Sequence, residues 1–297
     1  AQEGIRKQLP QFDASRLIGT SIDAFHKNPR HQASMLDKFT APHTAKLVVG
    51  DRHMTVTANP VITADGERLG AVARPVLFDL WGHGDAPCPL DDACYEVGYL
   101  VDQFEQARAE LGAERVLLCG HSFGACLTLR YSVEHPERVT AQVFTNSMSA
   151  LSPPELFGTP EQRRERALVV EAEGQAALRR LPFHPRNAQR LPPAIKDALV
   201  AQADATDPRA FVRLTRVTGP ELSMRARLGQ VACPTLLVNG RWEKSFQPLR
   251  DYAAAAIPGC RVADVDAGHA VNLENPAAFD DAVTGFFAAI GLGGAPG

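Results

Sequence analysis

A chain of 297 residues with 45% hydrophobic and 22% charged side chains has the composition of a soluble globular protein, long enough to bury a sizeable core in one large domain or two smaller ones. Its formal net charge of −3 provides no basic footprint for nucleic acid, and no apolar stretch reaches the roughly 18 to 20 residues that span a bilayer. Ala1–Gly4 carries no apolar signal core, and the six cysteines, Cys88, Cys94, Cys119, Cys126, Cys233 and Cys260, form no Cys-x-x-Cys pair; several lie in apolar runs, as buried free thiols do, so a reducing, cytoplasmic setting is expected.

In chain order, residues 1–74 read as a β-rich segment. His43–Gly50, Arg52–Ile62 and Leu69–Ala73 are three β stretches, and the turn signal Ala64-Asp65-Gly66-Glu67 suggests an antiparallel meander. From Pro75 onward strands and helices alternate. Val76–Leu80 is a short apolar strand. Tyr95–Leu111 is a helix, with Val97, Leu100, Val101, Phe104, Ala107 and Leu111 at helical spacing. Val116–Cys119 is a strand, and Ala125–Glu134 a helix that stops before Pro136. Val139–Thr145 is the next strand. Residues 151–231 hold no strand and read as a helical cap, with runs such as Pro160–Glu173 and Pro193–Asp204. Thr235–Val238 and Arg261–Val265 are further strands. Pro276–Ile290 closes the chain as an amphipathic helix, with Phe279, Val283, Phe286, Phe287 and Ile290 on one side. This alternation predicts an α/β fold: a mostly parallel sheet covered by helices, formed by residues 75–150 and 232–297, with the cap inserted between them. Ligands of such sheets bind at the C-terminal edge of the strands.

The most informative stretch is Gly120-His121-Ser122-Phe123-Gly124, a G-x-S-x-G pattern between an apolar strand and a helix. A serine at the tip of a sharp strand-to-helix turn has a strained backbone, so small neighbours two residues away on either side are expected, here Gly120 and Gly124. The turn lifts the Ser122 hydroxyl clear of the sheet. It also sets the Phe123 N–H at a helix N-terminus, where it can stabilise an oxyanion.

A serine nucleophile needs a base, and the base an orienting carboxylate. His269, in Asp266-Ala267-Gly268-His269, is alone among nine histidines in following a late strand in a glycine-containing loop. Glu243 follows the strand Thr235–Val238 at the same sheet edge; Asp266 is its rival. His83, in Asp79-Leu80-Trp81-Gly82-His83-Gly84-Asp85, has no metal-ligand spacing around it and reads as a turn residue. No cofactor or metal is implied.

Taken in order, the Asp79–Asp85 turn, the Gly-His-Ser-Phe-Gly elbow, the helical cap, the Asn239–Glu243 loop and Gly268-His269 resemble the α/β-hydrolase superfamily over about residues 74–290. The resemblance implies Ser122 as nucleophile, His269 as base and Glu243 as acid, with glutamate where aspartate is usual. It breaks in the N-terminal quarter. Members carry a strand ending in His-Gly whose following N–H is the second oxyanion donor, and no His-Gly dipeptide precedes His83. Phe12–Ala73 instead resembles the later half of a PAS domain of the chemotaxis-receptor kind, through Ile18-Gly19-Thr20-Ser21-Ile22-Asp23, Phe25-His26-Lys27-Asn28-Pro29, Ala58-Asn59-Pro60-Val61 and Gly66-Glu67-Arg68-Leu69-Gly70. The family's missing strand flanks the elbow strand, so something must fill that gap. Lys46–Gly50 stands about the right distance before Val76, which would make Gly50 the second oxyanion donor. A strand from a second chain, giving a homodimer through the N-terminal strands, is the other candidate.

The function expected is hydrolysis of a small-molecule carboxylic ester through an acyl-serine intermediate, that is, a serine esterase. Lactone, amide or carbon–carbon bond cleavage by the same triad stays open. Leu156, Phe157, Leu181 and Phe183 of the cap suggest an apolar acyl or alcohol group. The competing reading, of another class, is a PAS-like sensor or interaction module with a degenerate hydrolase part.

Overall fold

The computed structural model describes the backbone of residues 43–49 and 52–58, and residues 76–84 and 86–292 with their side chains. His43–Val49 (β1) and Arg52–Ala58 (β2) form an antiparallel pair, in register from His43 opposite Ala58 to Val49 opposite Arg52. The third expected β stretch, Leu69–Ala73, lies outside the described residues.

Four parallel strands form the main sheet in the order β3-β4-β5-β6: Val116–Gly120 (β3), Val139–Thr145 (β4), Thr235–Gly240 (β5) and Arg261–Val265 (β6). Period-two alternation sends neighbouring side chains to opposite faces. Phe144 and Leu237 pack with Val97–Glu110 (α1), Phe123–Glu134 (α2) and a helix between β5 and β6. Ala141, Val143, Leu236 and Val238 pack on the other face, against Phe279, Val283, Phe286 and Phe287 of the last helix, Pro276–Ala289. Being covered on both faces, β5 is buried along its whole length, as a parallel strand between two helix layers must be.

Between β4 and β5 run Met148–Leu151 (α3), Pro160–Glu173 (α4), Gln175–Arg179 (α5), Pro193–Ala205 (α6) and Pro208–Arg213 (α7). The chain closes with Gln247–Ala256 (α8), Val271–Glu274 (α9) and Pro276–Ala289 (α10). Among the described residues no helix is long and apolar enough to cross a membrane.

Two expectations fail together. Val76–Leu80 forms no strand; Val76 and Leu77 are exposed, and Phe78 meets Phe104 of α1 edge-on at a centroid distance of 4.6 Å. Nor does Lys46–Val49, the described part of the expected gap-filling stretch, complete the sheet. Lys46–Val49 belongs to β1, which pairs with β2 in a separate two-stranded sheet, and Gly50 lies outside the described residues. The cause is shared. A strand needs a hydrogen-bonding neighbour, and pairing β1 with an adjacent stretch closes a far shorter loop than pairing it with β3. Among the described residues β3 is therefore the sheet edge, and Val76–Leu80 has no ladder to join. β3 is only partly covered, with Cys119 exposed.

Candidate active site

At the end of β3 the chain reverses into α2 through Ser122, whose φ of 51° and ψ of −113° make it the one non-glycine residue with positive φ among those described. Such a conformation costs about 1–3 kcal/mol and persists only where the surroundings impose it. Gly120 is one such constraint: a Cβ there would lie 2.3 Å from Thr128 Oγ1 and 2.7 Å from Ala125 Cα. Gly124 is not, because a Cβ there meets nothing within 4 Å. The expectation that both glycines are sterically required thus holds for the first alone. Gly120→Ala should lower stability by about 1–3 kcal/mol, since the contact is with backbone as well as a side chain. Gly124→Ala, inside a helix, should be neutral or stabilising by up to about 1 kcal/mol. Denaturant midpoints of the two variants check both.

As the first residue of α2, Phe123 has a backbone N–H that donates to no group among the described residues. With the positive end of the helix dipole it forms a short cradle for negative charge. Among the described residues the Ser122 hydroxyl makes no hydrogen bond, while the Ser122 carbonyl accepts one from Ser147 Oγ at 2.6 Å. Cys126, one turn further along α2, is buried, and burial holds its thiol at a pKa of about 11 against the weaker pull of hydroxyls from Ser149 and Ser147. It stays protonated near neutral pH, so it is no rival nucleophile.

The loops after β5 and β6 lie against each other. Arg241 N–H donates to Val265 O at 3.1 Å and Trp242 N–H to Ala267 O at 2.9 Å. Gly240 allows this approach: a Cβ there would stand 1.9 Å from Gly268 O. In this register Glu243 reaches His269, whose Nδ1 lies 3.1 Å from Oε2 and 3.2 Å from Oε1. The longer side chain of glutamate is accommodated without loss of contact. Burial pushes the Glu243 carboxyl up, but the hydrogen bond and charge of His269, with a hydrogen bond from Asn146, outweigh it and hold the group below its ordinary value. Gln247 Nε2 donates to Glu243 O at 3.0 Å and fixes the loop from behind.

The base loop is bracketed by Glu274, whose carboxylate accepts Gly268 N–H at 2.7 Å and Ala270 N–H at 3.2 Å, one on either side of His269. Asp266 turns away to pair with Arg241 Nε at 2.5 Å. The His269 ring stands 4.9 Å from that of His121, the residue before Ser122. Elbow, acid and base candidates therefore meet at the C-terminal edge of the sheet. Gly50, the expected second oxyanion donor, is outside the described residues. His83 sits in a turn, its Nδ1 3.1 Å from Trp81 O, and among the described residues no group of three or more His, Cys, Asp or Glu is arranged to hold a metal.

The helical insertion reaches this region through Arg190, whose guanidinium lies 5.5 Å from the centre of the Trp242 ring. Of the apolar insertion residues, Phe157 and Leu181 pack into hydrophobic clusters, while Leu156 and Phe183 are exposed. A cavity of about 500 Å³ lies within the insertion, lined by Val170, Gln175, Thr206 and Val212 among others, with no residue of the elbow, acid or base loops.

Sequence reasoning missed Asn146, Gln247, Gly240 and Glu274. For Asn146 a signal exists: Thr145-Asn146-Ser147 is a polar triplet at the C-terminal end of an apolar strand, where functional groups of a parallel sheet gather.

The comparisons with known proteins agree with this fold. A family profile described as the alpha/beta hydrolase fold matches residues 67–276. The protein named carbamate hydrolase RutD of Klebsiella pneumoniae is 30% identical over 224 residues, 71% of this chain and 80% of that protein. The crystal structure of a hydrolase from Pseudomonas aeruginosa superposes with a TM-score of 0.59 at 25% identity, covering 70% of this chain and 77% of that one. A different similarity, 47% identity over 74 residues, is to the methyl-accepting chemotaxis protein McpB of Pseudomonas aeruginosa; it takes in 25% of this chain and 11% of that protein, and it echoes the chemotaxis-receptor resemblance of the N-terminal segment. With the profile covering most of the chain, and the strained serine turn and the acid and base loops at one sheet edge, this chain belongs to the alpha/beta hydrolase fold family.

Proposed function

We propose that the protein hydrolyses carboxylic esters through an acyl-serine intermediate. The observation that carries this reading is the Glu243–His269 contact at 3.1 Å, formed beside the strained Ser122 turn. In the proposed reaction Ser122 Oγ attacks the ester carbonyl as neutral His269 Nε2 takes its proton, and the Phe123 N–H donates to the developing oxyanion. Collapse expels the alcohol, which receives the proton from His269. Water then attacks the acyl-serine with His269 again as base, releasing the acid and restoring the Ser122 hydroxyl. Glu243 holds the imidazole with Nδ1 protonated and stabilises the imidazolium that forms in both halves. The absence of a Ser122–His269 hydrogen bond is compatible with this, since such contacts often tighten only with substrate bound.

The same triad serves lactone and amide cleavage, and the relative named for carbamate hydrolysis makes a carbamate the most informative second substrate. The test is covalent. A fluorophosphonate probe should modify the wild-type protein at Ser122, and p-nitrophenyl acetate should be turned over at a rate that this modification abolishes. Labelling at another residue, or turnover that survives full labelling, would overturn the assignment.

A further inference from the structure

The end of β4 holds a polar triplet in which two side chains touch the elbow and the middle one touches the acid loop. Thr145 Oγ1 lies 2.6 Å from His121 Nδ1, on the elbow. Ser147 Oγ donates to Ser122 O at 2.6 Å. Between them Asn146, fully buried, faces the acid loop and uses both ends of its amide. Its Nδ2 donates to Glu243 Oε2 at 2.8 Å and to Gly240 O at 3.1 Å, and its Oδ1 accepts Gly240 N–H at 2.8 Å. β4 lies between the elbow strand and the acid strand, so it is well placed to fix one loop relative to the other.

We propose that Asn146 is a positioning residue that holds the Glu243 carboxylate in the one orientation from which it reaches His269. The inference rests on the triad reading above and adds to it the group that sets the acid. A carboxylate on an exposed loop has several rotamers, and only some point at the imidazole. Nδ2 removes that freedom by occupying Oε2. The paired bonds to Gly240 clamp the backbone from which residue 243 extends, so loop and side chain are held by one amide. Asparagine is the residue type this arrangement needs: aspartate has no donor to offer Glu243, and leucine of similar shape would leave the Gly240 N–H buried without its Asn146 acceptor.

The test is a double-mutant cycle read with p-nitrophenyl acetate. If Asn146 acts through Glu243, Asn146→Ala lowers kcat by about tenfold or more in the wild-type background with KM little changed. In the Glu243→Ala background the same substitution then costs less than about twofold. An equal loss in both backgrounds, or none in either, overturns the proposal. Asn146→Asp separates the two ends of the amide, because it keeps the acceptor for Gly240 N–H and loses the donor to Glu243. It should lose at least as much activity as Asn146→Ala, and full activity in Asn146→Asp would overturn the proposal as well.

A readout independent of turnover guards against misfolded variants and against failure of the esterase reading. A His269 Nδ1 proton bonded to Glu243 should give a far-downfield proton resonance. It should be sharp in wild type and broadened or displaced in Asn146→Ala, with the remaining spectrum native. An unmoved resonance overturns the proposal whatever the substrate proves to be. A displaced one in a protein that cleaves no ester supports it and counts against the ester reading instead.

Discussion

Ser122→Ala is expected to lower kcat for p-nitrophenyl acetate by about 10⁴- to 10⁶-fold, because loss of the nucleophile removes the function of the whole triad and not one additive share of it. The melting temperature should scarcely change. Alanine carries a Cβ as serine does, so it inherits the φ of 51°, and among the described residues the serine hydroxyl makes no hydrogen bond that would be lost. The bonds that do tie this residue down, from Ser147 Oγ and Ala125 N–H to its carbonyl, use its backbone and survive the change. Ser122→Gly tells the two contributions apart. It should be as inactive as the alanine variant, yet more stable than it, since glycine adopts positive φ without penalty and releases part of the roughly 1–3 kcal/mol of strain. A Ser122→Ala protein that retains wild-type turnover would remove Ser122 from the reaction. A Ser122→Gly protein less stable than Ser122→Ala would show that the turn is not strained.

The elbow was legible because its signal is local. An apolar run, a glycine, a serine and a helical pattern fall within twenty or so residues, and the physics that links them acts along the chain. The strands β4, β5 and β6 and the last helix were legible for the same reason, through periodicities of two and 3.6 that report burial on one face or both. Val76–Leu80 shows where this fails. Its composition is that of a strand, but pairing is decided by a neighbour, and among the described residues the sheet ends at β3. Lys46–Val49 is β, as expected, but of the two candidates for the place beside β3 it is not the one that fills it, since it pairs with β2; propensity says nothing about which partner a strand finds. The steric role expected of both Gly120 and Gly124 belongs to Gly120 alone, because the pattern marks both and only the packing around each tells them apart. Asn146 was missed since its partners stand 94 and 97 residues away. Nothing in Thr145-Asn146-Ser147 names Glu243; the triplet only marks the sheet edge at which to look.

Glu243→Gln is expected to reduce kcat by about 10³- to 10⁴-fold, whereas Asp266→Asn should change it little. The neutral amide has nearly the same shape but holds no charge against the imidazolium, and its NH₂ group can force the wrong tautomer on His269. Asp266 shares only an exposed ion pair with Arg241, of a kind that contributes about 0–1 kcal/mol. The opposite ranking of the two variants would transfer the acid role to Asp266. A stability measurement gives an independent check with a defined sign. The Glu243 carboxyl is held below its ordinary value of 4.5, so its interactions stabilise the fold fully above that value. They are lost as the pH falls through the lower folded value, where the group takes up a proton. Glu243→Gln should therefore be less stable than wild type at neutral pH, and the gap should narrow as denaturation is repeated at successively lower pH below 4.5. A gap that persists unchanged into acid would mean that the ionised carboxylate is not what the surrounding groups hold. His269 and Asn146 would then be packing against residue 243 through shape alone, and the orienting charge would have to come from another side chain.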